Sequence, residues 1–291
     1  MKLNRKLLAV ITLVAVASTF PGCSDRKAGV RLFQPGFHFI PGEISSLAGF
    51  RTVRDSIDAE RGDTGMWRTL LLSDGQVTLR VEVAVVQDPA VDMDAFTDAR
   101  VNDPMVSLAG DLRFVNGDEV GVDVGDVVYV SRSGSLTPGG VEFELFFITR
   151  NVYVSLIEEV TWVTRRSTDP LVAQLDLLPI AREIDSEIRK TEGVSSDELA
   201  SLQPTIREFR PAQAVVEQTE VTEILLDAVD PGGSPLQYFY RVQTGEVVTE
   251  SGTTSYFSGP KVGTQQVSVT AVSTNLLFTV ASMDVEVVPV Q

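Results

Sequence analysis

Residues 67–85 read Trp67-Arg68-Thr69-Leu70-Leu71-Leu72-Ser73-Asp74-Gly75-Gln76-Val77-Thr78-Leu79-Arg80-Val81-Glu82-Val83-Ala84-Val85. The second half has a period of two. Val77, Leu79, Val81, Val83 and Val85 fall on one side, and Thr78, Arg80, Glu82 and Ala84 on the other. Successive side chains of a strand point to opposite faces, so this pattern predicts a half-buried strand. An apolar run, Trp67 to Leu72, precedes it. Ser73-Asp74-Gly75 separates the two runs and is a turn signal, so the stretch predicts a β-hairpin.

The same pattern recurs downstream. Val127 to Ser131 reads as a strand. Val141, Phe143 and Leu145 alternate with Glu142 and Glu144, and Val152, Val154 and Leu156 alternate with Tyr153 and Ser155. Arg150-Asn151 lies between those two runs as a turn. Two helical patterns are interspersed. Val91 to Val101 places Met93 and Phe96 at helical steps, with Asp92 as N-cap. From Thr168-Asp169-Pro170 onward, Leu171, Leu175, Leu178, Ala181, Ile184 and Ile188 line one face, and Pro179 predicts a kink or a restart. Strands with helices in this order predict an α+β domain over residues 33–190, an antiparallel sheet with packed helices.

Residues 191–205 are polar and small and read as a linker, with a helical turn near Asp197 to Leu202. Beyond it the helical pattern stops. Val221 to Ala228, Leu236 to Val242, Gln266 to Val272 and Leu277 to Val288 are strand-like runs, and Gly, Pro, Ser and Asn turns separate them. This spacing predicts an all-β sandwich over residues 206–291.

Two resemblances accompany these patterns. Asp227-Ala228-Val229-Asp230-Pro231-Gly232-Gly233-Ser234-Pro235-Leu236-Gln237-Tyr238-Phe239-Tyr240 resembles the second-to-third-strand hinge of bacterial immunoglobulin-like, PKD- and cadherin-like domains. Gln265 to Val272 is similar to their penultimate strand. The resemblance implies an immunoglobulin-like sandwich with Tyr240 in place of the core Trp. Gly232 and Ser234 stand where that group often has calcium ligands. Asp227 and Asp230 alone fall short of the six to eight oxygens that Ca²⁺ takes. Phe146 to Ser155, followed by an amphipathic helix, is similar to the end of PsbP-like α/β sandwich domains of secreted bacterial proteins; that likeness implies no particular activity.

The first residues predict a destination. Lys2, Arg5 and Lys6 precede an apolar run from Leu7 to Val16, and Ala17 to Gly22 leads to Cys23, the single cysteine. A positive head, a short apolar core and small residues describe a signal peptide over residues 1–22. The run is shorter than the roughly 20 residues of a membrane-spanning helix. Gly22-Cys23 resembles the lipid-attachment site of bacterial lipoproteins, which implies a diacylglycerol on the Cys23 thiol. Residues 23–32 then form a lipidated tether. Ser24 after the Cys resembles the sorting signal for the outer membrane of a diderm cell.

The chain has 291 residues, 43% of them hydrophobic, and a net charge of −16. The composition supplies material for one or two cores. The charge opposes nucleic-acid phosphate, so nucleic acid is excluded as a partner. With one Cys, no intramolecular disulfide forms.

Few residues of the chain are of types that carry reaction chemistry. His38, the one histidine, sits between Phe37 and Phe39 and reads as a packing or surface residue. There is no Gly-x-Ser-x-Gly elbow, and one His with one Cys does not build a zinc site. Asp92, Asp94 and Asp98 lie near a helix start, where negative charge is favourable. The spacing of Asp118, Glu119, Asp123 and Asp126 fits neither the EF-hand loop nor the Gly-rich nonapeptide repeat, and the cluster reads as a solvated acidic loop. The consecutive aromatics Tyr238, Phe239 and Tyr240, and the pair Tyr256-Phe257, must place at least one ring away from the core. They offer either edge packing or a binding face.

The expectation is a lipid-anchored, non-enzymatic cell-envelope protein with a binding or scaffolding role. It needs no cofactor and no metal, and its one assigned site residue is Cys23. Its partners are the membrane, through the lipid, and an envelope protein or polysaccharide. A carbohydrate-binding accessory module and an envelope-polymer hydrolase are the alternatives. The hydrolase would show an acidic cleft in the first domain with two carboxylates facing each other.

Overall fold

A computed structural model describes residues 32–58, 66–88, 90–91, 93, 97, 114–131, 135–137, 140–161, 175–250 and 254–290. The signal segment, Cys23, Asp92, Asp94, Asp98 and residues 168–174 lie outside them. Leu32–Gln291 forms one compact unit.

The first sheet contains β1 (Arg51–Asp58), β2 (Met66–Ser73), β3 (Thr78–Val85), β4 (Phe114–Asn116), β5 (Val127–Ser131), β6 (Ser135–Thr137), β7 (Gly140–Thr149) and β8 (Val152–Thr161). Its order is β1-β2-β3-β8-β7-β5-β4, with β6 also on β7, and every pairing is antiparallel. The β2–β3 hairpin turns where Asp74-Gly75 predicts. Asp74 Oδ1 accepts from the N–H groups of Gln76 and Val77, both at 2.8 Å, and Gly75 supplies φ +95°. The Val77 N–H foremost, then that of Gln76, holds the Asp74 carboxyl below its ordinary range.

The pleat sends Leu79, Val81, Val83 and Val85 of β3, and Val152, Val154 and Leu156 of β8, into the main core. Helix α1 (Leu177–Lys190) covers that face with Leu177, Ile180, Ala181, Ile184 and Ile188. Asp176 caps it by accepting from Leu178 N at 3.1 Å. Pro179 therefore stands in the first turn of the helix, where its missing N–H has no intrahelical partner to lose. Helix α2 (Ser196–Leu202) opens with a reciprocal capping box between Ser195 and Glu198.

The structure overturns the α+β expectation for residues 33–190. Strands dominate the described residues, and α1 is the one long helix among them. The expected helix at 91–101 lies mostly outside the described residues, and the later one is described only from Leu177. The sheet buries apolar residues on both faces: its second face carries Ala84, Phe146, Ile148 and Tyr153, with Trp67 edge-on to Tyr153 at 5.1 Å. The described residues are mostly β, with α1 as the one long helix on a face of the sheet, not an α+β domain built on several packed helices.

The remaining strands are β9 (Thr205–Pro211), β10 (Val215–Glu217), β11 (Val221–Val229), β12 (Leu236–Val242), β13 (Glu246–Glu250), β14 (Thr254–Ser258), β15 (Gly263–Ser273) and β16 (Phe278–Val288). They form two four-stranded sheets, β10-β16-β15-β12 and β13-β14-β11-β9. Val216, Val267, Met283, Val285 and Val287 from one sheet meet Ile224 and Phe257 from the other, a sandwich-like core.

The two β regions share buried side chains. Val272, Leu276 and Leu277, at the β15–β16 turn, lie in the main core with Phe33, Phe37 and Phe39. Phe37 N donates to Asn275 O at 2.9 Å, and Phe33 pairs with Val194 as an isolated bridge. Gly36, at φ +110°, passes so close to Asn275 that a Cβ there would lie 2.6 Å from its side chain.

Candidate functional site

The residues singled out in the sequence disperse when placed in the fold. His38 Nδ1 lies 2.8 Å from the carbonyl oxygen of Thr274, which accepts the hydrogen bond. The ring thus ties the N-terminal segment to the β15–β16 turn. It borders a hollow of about 310 Å³ near the C-terminal end of α1, with Glu187 and Lys190 opposite. Those two pair with each other at 2.5 Å.

Of the acidic loop, Asp126 has a structural task. Its Oδ2 accepts from Arg150 N at 2.6 Å, and its Oδ1 accepts from Arg189 Nη2 at 3.0 Å. Arg189 Nε also donates to Asp185, which in turn accepts from Thr149 Oγ1 at 2.6 Å. Glu119 and Asp123 are exposed, and the Asp118 side chain lies outside the described residues. Among the described residues, no group of three or more His, Cys, Asp or Glu side chains is placed to hold a metal ion.

The Asp227–Ser234 loop closes on itself. Asp230 Oδ2 accepts from Ser234 N at 2.9 Å, and Asp230 O accepts from Gly233 N at 2.9 Å. Asp227 is exposed on β11, paired in register with Glu208. One of the two remaining carboxylates is therefore engaged in the turn.

The aromatic triplet also finds its partners. Tyr240 faces the sandwich core, its ring 6.5 Å from that of Phe209, and burial pushes its hydroxyl pKa up. Phe239 points the other way and packs against the main core. The ring that must leave the sandwich seals the junction between the two β regions. Phe257 is fully buried.

A different place collects charge in a concavity. Register puts Arg54 of β1, Leu71 of β2 and Arg80 of β3 side by side on the second face of the first sheet. The next row in the same direction is Ser56, Thr69 and Glu82, and the one after it is Asp58, Trp67 and Ala84. Glu159 flanks Arg80 on the opposite side, across from Thr78. Arg80 approaches Glu82 at 3.7 Å and Glu159 at 3.5 Å. All of these except Trp67, Ala84 and Thr78 line a cleft of about 520 Å³, within the roughly 300–1,000 Å³ of small-ligand sites. In the sequence Arg80 and Glu82 look only like the solvent side of an amphipathic strand. Their convergence with Arg54 and Asp58 depends on the β1–β2 pairing, which local sequence does not announce.

A comparison with protein families and with curated proteins finds no match. No helix among the described residues is long and apolar enough to cross a membrane.

Proposed function

We propose that this chain is an exported protein of the bacterial cell envelope, anchored by a lipid on Cys23, with a binding or scaffolding role and no catalytic one. The observation that carries this reading is the order of features in residues 1–23: basic head, short apolar run, small residues, and Gly22 before the single Cys. Each buried methylene contributes about 0.8 kcal/mol to membrane attachment, and one acyl chain holds only marginally. The two chains of a diacylglycerol give stable anchoring.

The non-catalytic part is supported by how the reactive residues are used. His38 holds a backbone carbonyl at the junction. In the cleft, the Arg80 guanidinium stands between Glu82 and Glu159. A glycosidase pair instead flanks an open gap of roughly 5–9.5 Å for substrate and water.

The test is fractionation of cells expressing wild type and Cys23→Ser. The variant should leave the membrane fraction or accumulate unprocessed. A variant that stays in membranes with normal processing would overturn the anchor.

A further inference from the structure

We propose that the hollow between His38 and the last turn of α1 binds a primary ammonium carried on a short apolar stem. The ammonium sits among Glu43, Glu187 and the second ring nitrogen of His38, and the stem lies against Ile40 and Ile44. This adds a ligand class to the binding role and does not depend on the anchor.

The hollow, about 310 Å³, is lined by the segment before β1 and by Glu187, Lys190 and Thr191 at the end of α1. The groups it leaves open are acceptors. The Thr274 carbonyl only accepts, so His38 Nδ1, 2.8 Å away, carries the proton. In the neutral ring Nε2 then keeps its lone pair. The exposed Glu43 carboxylate makes no hydrogen bond or ion pair among the described residues. Glu187 gives Oε1 to Lys190 at 2.5 Å, and its second oxygen has no partner there. Two carboxylates against one ammonium leave a negative charge uncompensated. An anion is repelled by it, and a neutral donor leaves it unmatched. An ammonium supplies both the charge and three N–H donors.

Two features separate this hollow from an ordinary acidic surface. The imidazole is fixed in place. Phe37 and Phe39, on either side of it, are buried, and Phe37 N donates to Asn275 O at 2.9 Å. A ring held before the ligand arrives lowers the entropic cost of binding. The second feature is an apolar wall. Ile40 is 40% exposed, Ile44 is buried, and both line the same hollow as the carboxylates. A bare metal ion has no use for such a wall, and among the described residues no three ligating side chains are placed to hold one. The volume stands at the small end of the roughly 300–1,000 Å³ of small-ligand sites, which suits a short stem.

Proton NMR of the full chain titrated with n-butylammonium chloride tests the proposal. His38 is the one histidine, so its ring signals report on this hollow alone. At constant pH of about 7.5, where an ordinary imidazole is neutral, those signals should shift saturably with Kd of about 1–10 mM. Butyrate and n-butanol, which keep the stem and lose the cation, should bind about tenfold more weakly or not at all. Glu43→Gln should weaken butylammonium about tenfold, whereas Glu246→Gln, on β13 and outside the hollow, should not. Glu43 is exposed, and circular dichroism would verify that both variants fold. Nα-acetyl-lysine N-methylamide separates two sources of the group: affinity equal to that of butylammonium assigns it to a protein side chain, and about tenfold weaker binding to a free amine, the ammonium site standing in either case. Absence of a saturable shift, equal binding of butyrate, or indifference to Glu43→Gln would overturn the proposal.

Discussion

The side-chain amide of Gln87 clasps the backbone of Phe278 from both sides: Nε2 donates to the Phe278 carbonyl at 2.7 Å, and Oε1 accepts from the Phe278 N–H at 3.0 Å. Gln87 lies two residues beyond the end of β3, and Phe278 begins β16. Beyond its pairing with β15, β16 pairs among the described residues with β10 at residues 286–288. Gln87 thus completes the open edge of one β region with a side chain from the other. Thr279 Oγ1 continues the junction by donating to Pro204 O at 2.5 Å.

Replacing Gln87 with Leu removes both bonds and should cost about 1–3 kcal/mol. Because the regions also share Val272, Leu276 and Leu277 as core residues, wild type should melt in one calorimetric transition. Two separated transitions in wild type would show that the regions fold independently.

Arg150 has φ +58° at the β7–β8 turn, an unfavourable backbone for a residue with a Cβ. Its Nη1 offsets this by donating to Gln34 Oε1 at 2.7 Å and Thr191 O at 2.8 Å. Arg150→Ala keeps the strain and loses the bonds. Arg150→Gly loses the bonds but relaxes the backbone, so it should be about 1 kcal/mol more stable than the alanine variant in urea unfolding. Equal stabilities would mean that no strain is stored there.

Glu183 of α1 accepts from Ser45 Oγ at 2.7 Å and from Ser46 Oγ at 2.6 Å, tying the segment before β1 to the helix. The Ser46 hydroxyl foremost, then that of Ser45, holds the carboxyl pKa down from 4.5 to about 2. A lowered folded-state pKa contributes stability above the unfolded value, and that stability is lost as pH falls from about 4.5 toward about 2. Urea midpoints across this window should fall more steeply for wild type than for Glu183→Gln. Identical acid slopes would remove Glu183 from the linkage.

Calcium should leave the sandwich unchanged, because Asp230 already closes its own turn through Ser234 N. A ligand at a hundred times its Kd adds about 2.7 kcal/mol. Exchange of millimolar calcium for chelator should therefore leave Tm in place, and a clear rise with calcium would restore the Asp227–Asp230 loop as a metal site.

Strands were legible where one face is buried. The alternation at Val77–Val85 and the run Leu236–Val242 both coincide with strands. β1 was not legible: Arg51-Thr52-Val53-Arg54-Asp55 is an exposed edge with no buried face to impose a pattern. The expected helix over 91–101 lies mostly outside the described residues, and apolar spacing alone did not place the start of the later helix, which is described from Leu177. The start depends on the Asp176 cap. The role of Phe239 and the cleft at Arg80 were beyond local reading. Each depends on partners far away in sequence, in the main core for Phe239 and on β1 for Arg80.

The anchor is the central claim, and intact-mass measurement of the protein extracted from bacterial membranes tests it most directly. The account predicts a chain beginning at Cys23, lacking residues 1–22 and carrying a diacylglyceryl adduct on that residue. A chain that retains residues 1–22, or one whose Cys23 is an unmodified thiol, would contradict it.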